Sequence, residues 1–147
     1  LAPATVARLA QVPGIVAIKE ASGNLDQASQ IRSLTPGDFT IYCGDDSLTL
    51  PLLSVGGSGV VSVASHIAGD RLQEMVTAYQ SGNVAEATAL HLQLFPLFKA
   101  LFAETNPIPV KAALRLLGWD VGESRSPLCS ASEAVVQTLN QVLQDLA

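Results

Sequence analysis

The sequence predicts an α/β fold, with three parallel strands and their helices followed by an all-helical C-terminal segment. Three short apolar, β-branched runs at 15–18, 39–43 and 60–64 are each followed by a helical pattern, with connections of a few residues. Elements alternating in this way give parallel strands joined by right-handed crossovers. After Gly82 the strand signals stop and only helical patterns remain. Three strands are too few for a complete (β/α)8 barrel, which needs eight strands and about 250 residues.

The first helix is short, over 4–11, with Val6 and Leu9 three apart and Pro3 suited to a first turn. Val12-Pro13-Gly14 breaks it. The run 15–18 then reads as a strand buried on both faces, ending in Lys19-Glu20. A helix follows over 25–34, with Leu25, Ala28 and Ile31 on one stripe, and Thr35-Pro36-Gly37 terminates it. The second strand, 39–43, closes in Gly44-Asp45-Asp46. A short helix at 47–55 must hold Pro51 in its first turn or kink there. Gly56-Gly57-Ser58-Gly59 is a turn, 60–64 is the third strand, and a long helix covers 66–80. Gly82-Asn83 ends that helix.

Beyond Gly82 a helix over 84–102 is apolar almost all round, and Pro96 should kink or split it. Asn106-Pro107-Ile108-Pro109 restarts the chain into a helix at 110–117. A loop at 118–127 holds Trp119. The last helix, 131–146, carries Ala134, Val135, Leu139, Val142 and Leu146 as its apolar stripe. No internal repeat of fixed period is present beyond the βα alternation.

Composition narrows the function classes. The 147 residues are 48% apolar, 14% charged and 5% aromatic, enough apolar surface to exclude a disordered chain. Eight Lys and Arg against thirteen Asp and Glu give a net charge of -5 and a pI near 4.8. No basic patch offers a phosphate backbone a site, so nucleic acid is not an expected partner. No apolar run reaches the roughly 18 residues of a membrane span. Leu1-Ala2-Pro3 lacks the features of a signal peptide, and the lone Met75 raises processing or truncation. Cys43 and Cys129 lie far apart without CxxC spacing, so a reducing, cytoplasmic setting is expected.

One residue stands out for chemistry. Lys19 sits at the C-terminal end of a strand, where parallel α/β folds carry their active sites. Partial desolvation there would favour the neutral amine, which can attack a carbonyl and form a Schiff base. The alternative is a strand-end lysine whose stem packs while its ammonium reaches water. Of the three lysines, Lys19, Lys99 and Lys111, only Lys19 has this placement. Asp45 and Asp46 read as caps of the following helix rather than a metal pair, because His66 and His91 form no ligand-spaced cluster with them. The glycine-rich 56–59 follows a helix and opens a strand, the reverse of a phosphate loop. Ser62, Ser65 and His66 lack an orienting acid and make no convincing hydrolase set.

The segment Val12-Pro13-Gly14-Ile15-Val16-Ala17-Ile18-Lys19-Glu20-Ala21-Ser22-Gly23-Asn24-Leu25 resembles the Schiff-base strand of the dihydrodipicolinate synthase/N-acetylneuraminate lyase family. Three further blocks agree in order and spacing. They are Gly44-Asp45-Asp46 with Leu50-Pro51-Leu52, then Gly56 to Val63, then Asn106-Pro107-Ile108-Pro109-Val110-Lys111. The resemblance covers essentially the whole chain but only the second half of the family's sequence.

That resemblance implies the C-terminal portion of a (β/α)8 TIM barrel. Residues 1–82 would hold strands six to eight, and 83–147 the all-α C-terminal extension. It implies Lys19 as the nucleophile, Gly44 and Val61 as lining for a pyruvate pocket, and no cofactor or metal. The implied substrates are pyruvate and aspartate semialdehyde, condensed on the route to diaminopimelate and lysine. The implied assembly is a homo-oligomer, a dimer of dimers, when the protein is full length. The family's threonine pair, catalytic tyrosines and carboxylate-binding arginine fall outside this chain, and neither Tyr42 nor Tyr79 sits in the tyrosine motif. The 147 residues alone are therefore expected to be inactive. Two alternatives stay open: a related pyruvate-dependent aldolase or lyase with another acceptor, or a catalytically dead truncated domain.

Overall fold

A computed structural model of the chain describes residues 1–146 and shows an α/β architecture with three parallel strands and seven α-helices among them. The chain divides into two compact units, Leu1–Ser62 and Val63–Ala147.

The first unit holds α1 (Pro3–Leu9), β1 (Ala17–Glu20), α2 (Leu25–Leu34), β2 (Thr40–Cys43), α3 (Thr49–Ser54) and β3 (Gly59–Val60). The strands pair in the order β1-β2-β3, all parallel. Ile18 is opposite Ile41 and Glu20 opposite Cys43, while Lys19 is opposite Tyr42 and Tyr42 opposite Gly59. Successive strand residues face opposite sides. One face therefore carries Ile18, Ile41, Cys43 and Val60, which join Val6, Ala28, Ile31, Phe39 and Leu52 in one apolar cluster.

The other face carries Lys19 and Tyr42, both exposed. This corrects the expectation of a first strand buried on both faces. Strand β1 begins two residues later than its apolar run, and Ile15 and Val16 lie outside it, 37% and 69% exposed. The continuous apolar run concealed a sheet that this unit's helices cover on one side. β3 is also shorter than the run 60–64, although the Val61 amide extends the ladder to the Cys43 carbonyl at 2.8 Å.

Local chemistry sets the helix ends. Asn24 caps α2 by accepting the Gln27 amide at 3.1 Å. Arg32 closes the other end, donating to the carbonyls of Phe39, Thr35 and Pro36. Pro51 falls in the first turn of α3, where its missing N–H costs nothing. The glycine-rich segment is a turn: Gly56 has φ +94°, and a Cβ on Gly57 would lie 2.3 Å from Leu52 Cδ2.

The second unit is helical: α4 (Ser65–Gln80), α5 (Val84–Ala100), α6 (Ile108–Leu116) and α7 (Glu133–Leu146). Helix α5 packs on α4 and α7, and α6 on α4 and α7. Leu72, Met75, Leu94, Leu97, Phe98, Leu101 and Leu139 are buried there. Ala68 breaks the first turn of α4 with φ -131°, ψ 44°. Pro96 was expected to kink or split α5; the helix runs on past it to Ala100, so it is not split. Pro96 lies on the exposed face with Leu92, so the carbonyl it leaves unpaired can reach water, while Leu94, Leu97 and Phe98 hold the opposite face. In α7 Ala134 is exposed, and Val136 and Leu143 share the half-buried side with Val135, Val142 and Leu146. No helix among the described residues is long and apolar enough to cross a membrane.

Candidate active site

The C-terminal edge of the sheet gathers all three residues expected at a site. Lys19, Tyr42 and Gly59 share one register row on the exposed face. The chain beyond the strands keeps the alternation, which sets Ala21, Gly44 and Val61 in the next row on that side. Two main-chain bonds carry the ladder that far. The Gly44 amide donates to the Glu20 carbonyl at 2.7 Å, and the Val61 amide donates to the Cys43 carbonyl at 2.8 Å.

Lys19 and Gly44 are in direct proximity. A Cβ on Gly44 would sit 2.8 Å from Lys19 Cε, 3.1 Å from Lys19 Cγ and 2.5 Å from Ala21 Cβ. Any side chain there would displace the lysine stem. Gly44 thus leaves room for the amine along the strand end. Val61 lies 50% exposed on the same side. Tyr42 lays its ring on Gly59, with Cδ1 and Cε1 each 3.6 Å from where a Cβ would be. Lys19 itself is exposed in this chain. The expected partial desolvation is thus not found. The face that carries the lysine has no covering element within its unit.

The opposite face holds what sequence reasoning missed. Glu20 is only 6% exposed. Its carboxylate accepts the Ser22 amide at 2.7 Å and Gln27 Nε2 at 3.2 Å. Burial raises its pKa, but the hydrogen bonds from Ser22 and Gln27 outweigh that, and the carboxyl lies below its ordinary value. Glu20 is thus ionised at neutral pH. The only signal in the sequence is parity: a residue next to Lys19 on a strand must point into the helix-covered side. Cys43 is also on that side. Burial pushes its thiol up, and its Sγ lies 3.0 Å from the Asp45 carbonyl.

Asp45 acts as a cap, accepting the Ser47 amide at 2.9 Å and the Ser47 hydroxyl at 2.8 Å. Asp46 is buried at the start of that turn. Among the described residues, no group of three or more His, Cys, Asp and Glu side chains could hold a metal ion. A primary amine is the side chain that forms a Schiff base with a carbonyl carbon, and Gly44 leaves room beside this one.

The chain is similar to known proteins. Residues 1–146 match the Dihydrodipicolinate synthetase family. The chain is 66% identical over 146 residues to a 4-hydroxy-tetrahydrodipicolinate synthase of a Cyanothece species, covering 99% of this chain and 50% of that protein. It is 64% identical over 147 residues to the Synechocystis protein of the same name, covering 100% and 49%. Among solved structures it superposes on dihydrodipicolinate synthase from Cyanidioschyzon merolae, crystallised with lysine bound, with a TM-score of 0.96 and 51% identity. That match covers 98% of this chain and 49% of the other. The Thermotoga maritima enzyme gives a TM-score of 0.95 at 45% identity, over 99% and 50%. The chain spans about half the length of the curated relatives it matches.

Proposed function

The chain belongs to the dihydrodipicolinate synthetase family, and from that premise we propose that it is the C-terminal half of an enzyme condensing pyruvate with aspartate semialdehyde to 4-hydroxy-tetrahydrodipicolinate. The observation that carries this reading is Lys19 at the end of β1, with its stem against Gly44. Strands β1, β2 and β3 take the place of barrel strands six, seven and eight. Residues 1–82 then complete the barrel and 83–147 form its helical extension. The exposed face of the sheet becomes the barrel interior once the other strands pair with the free edges of β1 and β3.

In this reading the neutral Nζ of Lys19 attacks the keto carbon of pyruvate, and loss of water leaves an imine. Removal of a proton from the adjacent methyl gives an enamine, whose carbon attacks the aldehyde of aspartate semialdehyde. The amine of that substrate then displaces Lys19 from the imine carbon, which closes the ring and returns the free lysine. Gly44 and Val61 line the pyruvate pocket through backbone and packing. The remaining acid–base and carboxylate-binding groups come from the half outside this chain. The complete protein works as a cytoplasmic homo-oligomer, a dimer of dimers, in lysine and diaminopimelate biosynthesis.

The test is a condensation assay on the complete polypeptide. Turnover is expected with pyruvate and aspartate semialdehyde and not with pyruvate and N-acetylmannosamine. A preference for the sugar would move the protein to the lyase branch of the family. Lys19→Ala is expected to abolish turnover, and retained activity in that variant would overturn the assignment.

A further inference from the structure

A carboxylate on the far side of the strand from the amine is the least expected feature of this site. Glu20 follows Lys19 directly, yet it points into the helix-covered face and is 6% exposed. Burying an ionised carboxylate is costly unless it is well paired. Its partners are neutral donors: the Ser22 amide at 2.7 Å and Gln27 Nε2 at 3.2 Å. The first fixes the turn that leaves β1, and the second fixes that turn to α2. The same residue's carbonyl accepts the Gly44 amide at 2.7 Å, which joins the turn to the end of β2.

These bonds converge on the lysine. Ala21 lies between Glu20 and Ser22, which the bond from the Ser22 amide to the Glu20 carboxylate ties together. The Gly44 position falls 2.5 Å from Ala21 Cβ and 2.8 Å from Lys19 Cε for an added Cβ. The space beside Gly44 is thus bounded by Ala21 on one side and by the lysine stem on another. We propose that Glu20 is a positioning residue: its carboxylate fixes the turn that carries Ala21, and with it the strand end whose main chain pairs with Gly44, so that the Lys19 amine meets the keto carbon of pyruvate in line for imine formation. The proposal rests on the reading of Lys19 as the Schiff-base nucleophile. All of the partners lie within residues 20–44, so the arrangement is complete in this chain.

The test uses the complete polypeptide, pyruvate and borohydride quenching at short times, with Lys19 followed by peptide mass. E20Q keeps an acceptor for the Ser22 amide but removes the negative charge, so Gln27 must turn its amide over and only a weaker neutral hydrogen bond remains. It is expected to slow imine formation about tenfold or more, as small misplacements of reacting groups do, with KM for the aldehyde changed less than about twofold. The exchanged pair E20Q/Q27E restores a donor–acceptor pair in reverse, and is expected to recover most of the rate. A purely structural staple would lower the folded fraction and leave the rate per folded molecule unchanged. E20Q trapping pyruvate at the parent rate would overturn the proposal, as would an exchanged pair no faster than E20Q. Should the Glu20 variants fail to fold, Gln27→Leu removes only the outer anchor from a helix that tolerates leucine. That variant is expected to slow trapping severalfold, and an unchanged rate would overturn the proposal. If the unsubstituted polypeptide forms no adduct on Lys19, the nucleophile assignment has failed instead.

Discussion

Gly44 shows how much can depend on a missing atom. Its space is filled by the Lys19 stem and by the Cβ of Ala21, which cannot swing away. Gly44→Ala is expected to cost about 1–3 kcal/mol of stability, the range for overpacking, and to slow trapping of pyruvate on Lys19. Denaturant midpoints and quenched-flow trapping measure the two effects, and a variant with both unchanged would mean that the lysine stem does not rest there. His91 carries a different consequence. Its Nδ1 is buried without a hydrogen-bond partner, its ring lies 5.9 Å from Phe95 and 6.0 Å from Phe98, and burial lowers its pKa below 6.5. The unfolded chain therefore takes up the proton first as pH falls. Stability from this site is fully present above about pH 6.5 and declines below it, through the lowered folded value. His91→Met is expected to flatten that decline in denaturant titrations of the complete polypeptide between neutral pH and about pH 5. An identical slope in both proteins would remove the assignment.

At the scale of elements, most helices were legible because their signals are local. Helix α2 runs over Leu25–Leu34 as its stripe predicted, stopped by the residues before Pro36. Its start depends on Asn24. Asn24→Ala is expected to destabilise the protein by about 1 kcal/mol, read as a lower thermal midpoint, and no change would show that solvent caps the helix equally well. The strands were less legible. A run such as Ile15-Val16-Ala17-Ile18 says that apolar residues are present, but not which two faces they meet. The structure moves β1 onward to Ala17–Glu20, and that shift brings Glu20 into the covered side. The role of Pro96 was also hidden. How well a helix carries a proline depends in part on whether the carbonyl that loses its hydrogen bond faces water, which is a tertiary fact. The candidate site residues came from the four-block resemblance, since strand-end position alone left Lys19 open between nucleophile and snorkelling surface lysine.

For the whole molecule, the governing facts are a three-stranded sheet with one edge each on β1 and β3, and relatives of about twice the length. Unpaired strand edges present free N–H and C=O groups that bind other strands. The isolated 147-residue chain is expected to associate in a concentration-dependent way in sedimentation, and a clean monomer at all concentrations would argue against open edges. It is also expected to show no condensation of pyruvate with aspartate semialdehyde, because in the proposed reading the exposed Lys19 would lack the acid–base and carboxylate-binding groups of an N-terminal half, and such losses multiply. Turnover comparable to that of an intact relative would contradict this. Mixing with the N-terminal half should restore part of the activity. Removing the residues after Gly82 from the complete polypeptide is expected to change its sedimentation mass or its solubility. The central claim is that Lys19 is the nucleophile, and one measurement bears on it most directly: borohydride reduction of the complete polypeptide in the presence of pyruvate, followed by peptide mapping. The expected result is a single reduced pyruvate adduct on Lys19, with Lys99 and Lys111 unmodified. An adduct on another lysine, or none on Lys19, would contradict the account.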